Sequence, residues 1–191
     1  MHVFLNILWV FGIIYATIPA FWMAVHPFAG YWRARKRNPF PILGLIWLAI
    51  ILGGVVITLP WHKQQLYTVP LLWIPAALLF ACALFIYRRA GRIFGRDILI
   101  GRTELASQTQ GQTLVTSGIH ARLRHPIYLG HLLMLTSWTL GSGLVVMVAL
   151  LAFAVITGAL MIRMEDAELE ARFGDQFRAY KKRVPAIFTL P

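Results

Sequence analysis

The sequence predicts an all-α, multi-pass membrane protein: a single membrane domain over 1–191 with about five transmembrane helices. Three observations carry that prediction. The 191-residue chain is 59% apolar and only 13% charged, where a soluble domain averages about 45–50% and about 25%. Asp, Glu, Lys and Arg are absent from 1–32, 38–62, 64–87 and 125–162, and each window exceeds the ~20 residues that cross a bilayer. Threading helices through these windows leaves 17 of the 18 Lys and Arg residues on one side, with Lys63 alone opposite. That asymmetry marks the basic side as cytoplasmic.

The elements follow in order. Span one covers 4–25. Its apolar run lacks the basic n-region and small-residue end of a signal peptide, so it is expected to remain as a helix. Span two covers 42–59 and stops at Pro60-Trp61. Span three covers 71–87, after Pro70. The window 125–162 is too long for one helix, and Gly141-Ser142-Gly143 divides it into a hairpin, 127–140 and 144–162. Five crossings place the N-terminus outside and the C-terminus in the cytoplasm. Trp61 and Trp73 then fall in the outer aromatic belt. The tiny outer loops suit a prokaryotic inner membrane. The net charge of +11 is accounted for by this topology, and no nucleic-acid-binding pattern lies among the charged segments. The lone Cys82 allows no internal disulfide and is expected as a small core residue.

Polar chemistry gathers in 88–126 and 163–191, the segments that flank the last hairpin. Residues 1–87 are expected to serve as a three-helix scaffold. In Arg124-His125-Pro126-Ile127-Tyr128-Leu129-Gly130, proline suits the first turn of a helix, where its missing N–H costs nothing. A helix from Pro126 to Leu140 spans only ~22 Å, so its start is expected below the membrane surface, against protein. Exposed N–H groups there suit an anionic ligand group. His125 and Tyr128 are candidates for a ligand site, and His131 for a helix–helix hydrogen bond. Further on, Leu169, Phe173, Phe177, Tyr180 and Val184 recur at steps of 4, 4, 3 and 4, one apolar helical face. This is a helix on the basic membrane face, or two shorter helices broken at Phe173-Gly174. Glu165 extends the stripe, and an acid there is functional by default. Asp166, Glu168 and Glu170 fall on more solvated faces.

Taken together, Gln112-Thr113-Leu114-Val115-Thr116-Ser117-Gly118, the 124–130 segment, Glu165-Asp166, Phe173-Gly174, Phe177, Tyr180 and Lys182-Arg183-Val184-Pro185 resemble one family. It is that of the membrane methyltransferases typified by isoprenylcysteine carboxyl methyltransferase and related to phospholipid methyltransferases. The resemblance implies S-adenosyl-L-methionine as cofactor, in a cytoplasmic pocket formed by 88–191 around the hairpin 127–162. It implies cofactor contacts at Gln112, Thr113, Leu114, Val115, His120, His125, Pro126, Ile127, Tyr128 and Glu165. The family commonly has Tyr where His120 stands and Glu-Glu where Glu165-Asp166 stands. Its eukaryotic members carry a substrate-binding Arg four residues before the Glu; that position is Met161 here, and Arg163 is the nearby candidate.

The expected activity is methyl transfer to a lipophilic small molecule or lipidated group, or to a membrane lipid. The resemblance favours isoprenylcysteine-type carboxyl O-methylation, with N-methylation of a phospholipid or other lipid amine as the alternative. Alignment does the chemistry, so no side chain is assigned as catalytic, and no metal is expected. A sterol-reductase-like oxidoreductase needs more helices than five. A non-enzymatic membrane protein with a basic tail would bind no cofactor. Dinucleotide, Walker, HExxH and nucleophile-elbow patterns are absent.

Overall fold

The structure, a computed structural model, describes residues 2–34, 38–92 and 113–187. The described chain is helical: α1 (His2–Met23), a 3-10 turn (His26–Phe28), α2 (Ala29–Ala34), α3 (Phe40–Thr58) and α4 (Trp73–Gly91). The C-terminal half adds α5 (Pro126–Ser142), α6 (Val145–Phe173) and α7 (Asp175–Arg183). Four stretches are long and apolar enough to cross a membrane: 3–34, Phe40–Thr58, 70–91 and Val145–Phe173. α5, at 17 residues, measures about 26 Å. It is the short, inner arm of the expected hairpin, packed between α4 and α6. The expected all-α, multi-pass architecture is thus the observed one.

The bundle closes where α1 meets α5 and α6. Ile13, Ala16, Leu135, Leu144, Val146 and Met147 form its solvent-free centre. Outward faces of α1, α3 and α4 expose Phe11, Leu45, Leu52, Val56, Leu78 and Phe85, as lipid-facing surfaces should. Since lipid tails are as apolar as leucine, polar pairs and close packing hold such helices together. Two reciprocal bonds join α1 to α3: Trp9 Nε1–H donates to Thr58 Oγ1 at 2.9 Å, and Trp47 Nε1–H donates to Thr17 Oγ1 at 3.1 Å. Ser137 Oγ donates to the Ala76 carbonyl at 2.7 Å, joining α5 to α4. At the end of the bundle opposite the start of α5, the 60–70 loop clasps the hairpin turn: Leu66 N–H donates to the Gly143 carbonyl at 2.8 Å, and Val145 N–H to that of Gln64 at 2.9 Å.

Within the hairpin, the Tyr128 hydroxyl donates to the Ala154 carbonyl. Gly158 makes room for it, because a Cβ there would coincide with the Tyr128 hydroxyl. Gly158→Ala is therefore expected to destabilise the protein by about 1–3 kcal/mol, the usual cost of overpacking. Melting curves in detergent check this. The Tyr128→Ala/Gly158→Ala double variant should be little worse than Tyr128→Ala alone, since the two residues share one space.

Two expectations change, and one open alternative is decided. Cys82 is exposed on α4 instead of buried in the core, because α4 turns that face outward. His131 Nδ1–H donates to the Ile127 carbonyl of its own helix at 2.9 Å, and its ring packs on Tyr15 and Tyr87. The stripe from Leu169 to Val184 is split, since Gly174 adopts φ +54° and ends α6. Its residues still meet: Phe177, Tyr180 and Val184 are buried together against Leu169, Phe173 and Leu114. The apolar face of α7 is therefore spent on protein packing.

Candidate functional site

The polar centre forms where the start of α5 meets the extended end of α6. Pro126 opens α5 and leaves His125 as its N-cap residue. The preceding backbone is pinned to the segment after α7: Arg124 N–H donates to the Pro185 carbonyl and His125 N–H to that of Ala186, both at 2.9 Å. The Arg124 guanidinium also donates to the carbonyls of Lys181 and Val184. A cation there suits the negative end of the α7 dipole.

His125 is buried, and both its ring nitrogens face carboxylates. Nε2 lies 3.0 Å from Asp166 Oδ1 and Nδ1 lies 3.1 Å from Glu165 Oε2. Only the imidazolium has two N–H groups to donate, so the geometry itself calls for a charged ring. Burial acts to lower its pKa, but the two neighbouring carboxylates outweigh burial and raise it to about 9. Asp166 also accepts from Arg124 Nη2 at 2.8 Å and pairs with Lys181 Nζ at 3.4 Å. Arg124 Nε is buried without a hydrogen-bond partner among the described residues, a donor left for a ligand.

This pairing has a pH signature. A histidine pKa raised from its ordinary 6.5 to about 9 contributes stability in full below about pH 6.5. The contribution is lost as pH rises through about 9. Melting temperature is expected to fall across that window in the wild type, and the step should vanish in His125→Gln. A step of equal size in both proteins would assign it to other groups.

The second histidine of this region, His120, lies in a 3-10 turn (Gly118–Ala121) and is buried. Burial holds its imidazole below the ordinary value. Its carbonyl accepts from the Tyr180 hydroxyl at 2.6 Å; burial pushes that phenol up to about 12. Leu114 leans on the same α7 cluster. Val115 is half-buried and Thr113 exposed, while Gln112 lies outside the described residues. Pro126 and Tyr128 are buried and Ile127 is half-buried in the first turn of α5. The folded chain therefore brings His120, His125 and Glu165 into one neighbourhood through Tyr180, Arg124 and Asp166. Arg163 stands apart: it is exposed on α6, and residues two apart on a helix do not share a face.

Two acids depart from the sequence expectation. Asp166 is only 5% exposed, not solvated, because Arg124 and His125 dock on it from the other end of the hairpin. Glu168 is also mostly buried, paired with Arg33 of α2 and, at 3.7 Å, with Arg172. Glu170 remains on a solvated face beside Arg178. Nothing in the sequence near these acids signals their partners, which lie 42 residues upstream for Arg124 and 135 for Arg33. His26 was equally hidden. It is buried at the end of span one, within electrostatic reach of Glu165, Glu168 and His125. One local signal marks it: His26-Pro27 repeats the His-Pro step of 125–126.

Among the described residues no cluster of three or more His, Cys, Asp or Glu side chains could hold a metal ion. The cluster suits instead a small ligand carrying both charges, with carboxylates to accept from its ammonium or hydroxyls and Arg124 Nε to donate to its anionic end.

Comparison with known proteins falls on the same region. A family model described as phospholipid methyltransferase matches residues 72–176. A protein-S-isoprenylcysteine O-methyltransferase of Schizosaccharomyces pombe is 33% identical over 86 residues, 42% of this chain and 35% of that protein. Protein-S-isoprenylcysteine O-methyltransferase B of Arabidopsis thaliana is 34% identical over 102 residues, 51% of this chain and 47% of that protein. An uncharacterized protein of Haemophilus influenzae is 36% identical over 59 residues, 30% of this chain and 94% of that protein. The matches thus span less than half the length of the two named methyltransferases. No solved structure matches the chain.

Proposed function

The chain belongs to the phospholipid methyltransferase family, and from that premise we propose that it methylates a lipophilic acceptor at the membrane, using S-adenosyl-L-methionine. Residues 88–191 hold the cofactor and 1–87 form the membrane scaffold. The observation that carries the reading is the doubly engaged His125, placed with Glu165 and Asp166 inside the family match. The residues fit the cofactor's chemistry. Glu165 accepts from its ammonium or ribose, and Arg124 Nε donates to its carboxylate. His120, Thr113, Leu114, Val115 and the 125–128 turn form the walls, with Gln112 adjoining them in sequence.

When bound, S-adenosylmethionine supplies a sulfonium methyl group, which an acceptor atom takes as the S–CH3 electron pair returns to sulfur. The protein's part is alignment and exclusion of water. Asp166 holds Arg124 and His125 at fixed positions, and the α7 cluster shields their far side. A carboxylate acceptor needs no base. An amine would have to lose a proton. Carboxyl O-methylation of an isoprenylcysteine-type acceptor is in keeping with the names of the two relatives.

The test is transfer of a radiolabelled methyl group from S-adenosylmethionine to N-acetyl-S-farnesylcysteine by the purified protein in vesicles. A base-labile ester is expected. A base-stable product from phospholipid would establish the amine alternative, and no cofactor binding at all would end the reading. Charge placement supports an N-terminus outside and a C-terminus in the cytoplasm, and the short outer loops suit a prokaryotic inner membrane. A reporter active only in the cytoplasm should work after Pro191 and fail before Met1; the opposite result discards this orientation.

A further inference from the structure

Beside the C-terminal part of α6, next to the His125 cluster, lies a cavity of about 450 Å³ between the 26–34 segment, including His26, and α6. Its charged lining among the described residues is Arg33, Arg172 and Glu168; Pro27, Met164 and Ala171 supply apolar wall. Glu168 pairs with both guanidiniums, and the three side chains are only 11%, 13% and 11% exposed. Two guanidiniums and one carboxylate thus line a half-open space. Such cations keep their desolvated charge by holding anionic oxygens, and a planar guanidinium can take two at once. The same 26–34 segment that lines the cavity also carries the exposed apolar side chains Phe28 and Tyr31. A ligand that reached it from the bilayer would bring an apolar tail and present a polar head. Glu168 is also one turn along α6 from Glu165, so the cavity adjoins the candidate cofactor site.

We propose that this cavity binds the anionic head, carboxylate or phosphate, of a membrane amphiphile between Arg33 and Arg172, with Glu168 as the resident anion it competes against. Binding stands independently of methyl transfer. That the ligand is the methyl acceptor rests on the function proposed above.

Affinities measured without cofactor, on protein in neutral-lipid nanodiscs, test it. Three probes serve: N-acetyl-S-farnesylcysteine, its methyl ester, and a single-chain lysophosphatidic acid. The free acid should bind at least ten-fold more tightly than the ester. Arg33→Gln and Arg172→Gln should each weaken it at least ten-fold, with Arg33→Lys retaining part of the affinity. Glu168→Gln should tighten binding several-fold, an effect that loss of folding cannot imitate. Preference for the prenylcysteine acid identifies the acceptor as the source of the anion; preference for lysophosphatidic acid identifies a phospholipid. Equal binding of acid and ester together with no preference for lysophosphatidic acid, or indifference of every probe to Arg33, Arg172 and Glu168, overturns the proposal. Because cofactor is absent, failure here is distinguishable from failure of the methyltransferase reading, which the labelling assay reports.

Discussion

Asp166→Ala is expected to destabilise the folded protein by about 3–5 kcal/mol, the usual cost of removing one partner from a buried ion pair. Asp166 is nearly inaccessible and meets three cations, Arg124, His125 and Lys181. Arg124 in turn ties the end of α7 to the start of α5. Losing the carboxylate leaves Arg124 without its buried anion and His125 with Glu165 alone. By contrast, Glu170→Ala removes a carboxylate paired with Arg178 at the surface and should cost less than about 1 kcal/mol. Unfolding in mixed detergent, followed for both variants, measures the difference. Equal costs would show that the cluster does not hold the two halves of the site together.

Glu165→Ala should weaken S-adenosylmethionine binding by about 1.5–3 kcal/mol, the value of a hydrogen bond to a charged group, or roughly 10- to 150-fold. His125→Ala should also weaken it, by releasing Glu165, since both ring nitrogens of His125 are engaged by Glu165 and Asp166. Glu168→Ala should leave cofactor affinity nearly unchanged, because its partners are Arg33 and Arg172, in the neighbouring cavity. Calorimetry on the folded fraction of each variant provides the measurement. Small, equal effects at all three positions would make Glu165 an ordinary structural acid and move the cofactor elsewhere.

The helices, their order and their hairpin were legible in the sequence because the bilayer imposes a one-dimensional code. Length without charge gives a span, basic residues mark a side, and Gly141-Ser142-Gly143 turns the chain. His125 and Glu165 were legible for a related reason. Each is a polar residue at the edge of an apolar run, where it needs a partner. Asp166 carried no such mark, since its neighbours along α6 are as charged as it is. Helical phase alone assigned it to water, and only the docking of Arg124 and His125 encloses it. Arg33 looked like one more positive-inside residue, and His26 like a residue of the scaffold. The packing of the His26–Phe28 turn against α6 puts both beside the acids of the C-terminal half. What the sequence determined by itself was therefore whatever depends on a residue's local exchange between water and lipid. The tertiary structure alone decided which charges pair, because a pair energy depends on separation in space and burial, and neither is a function of distance along the chain.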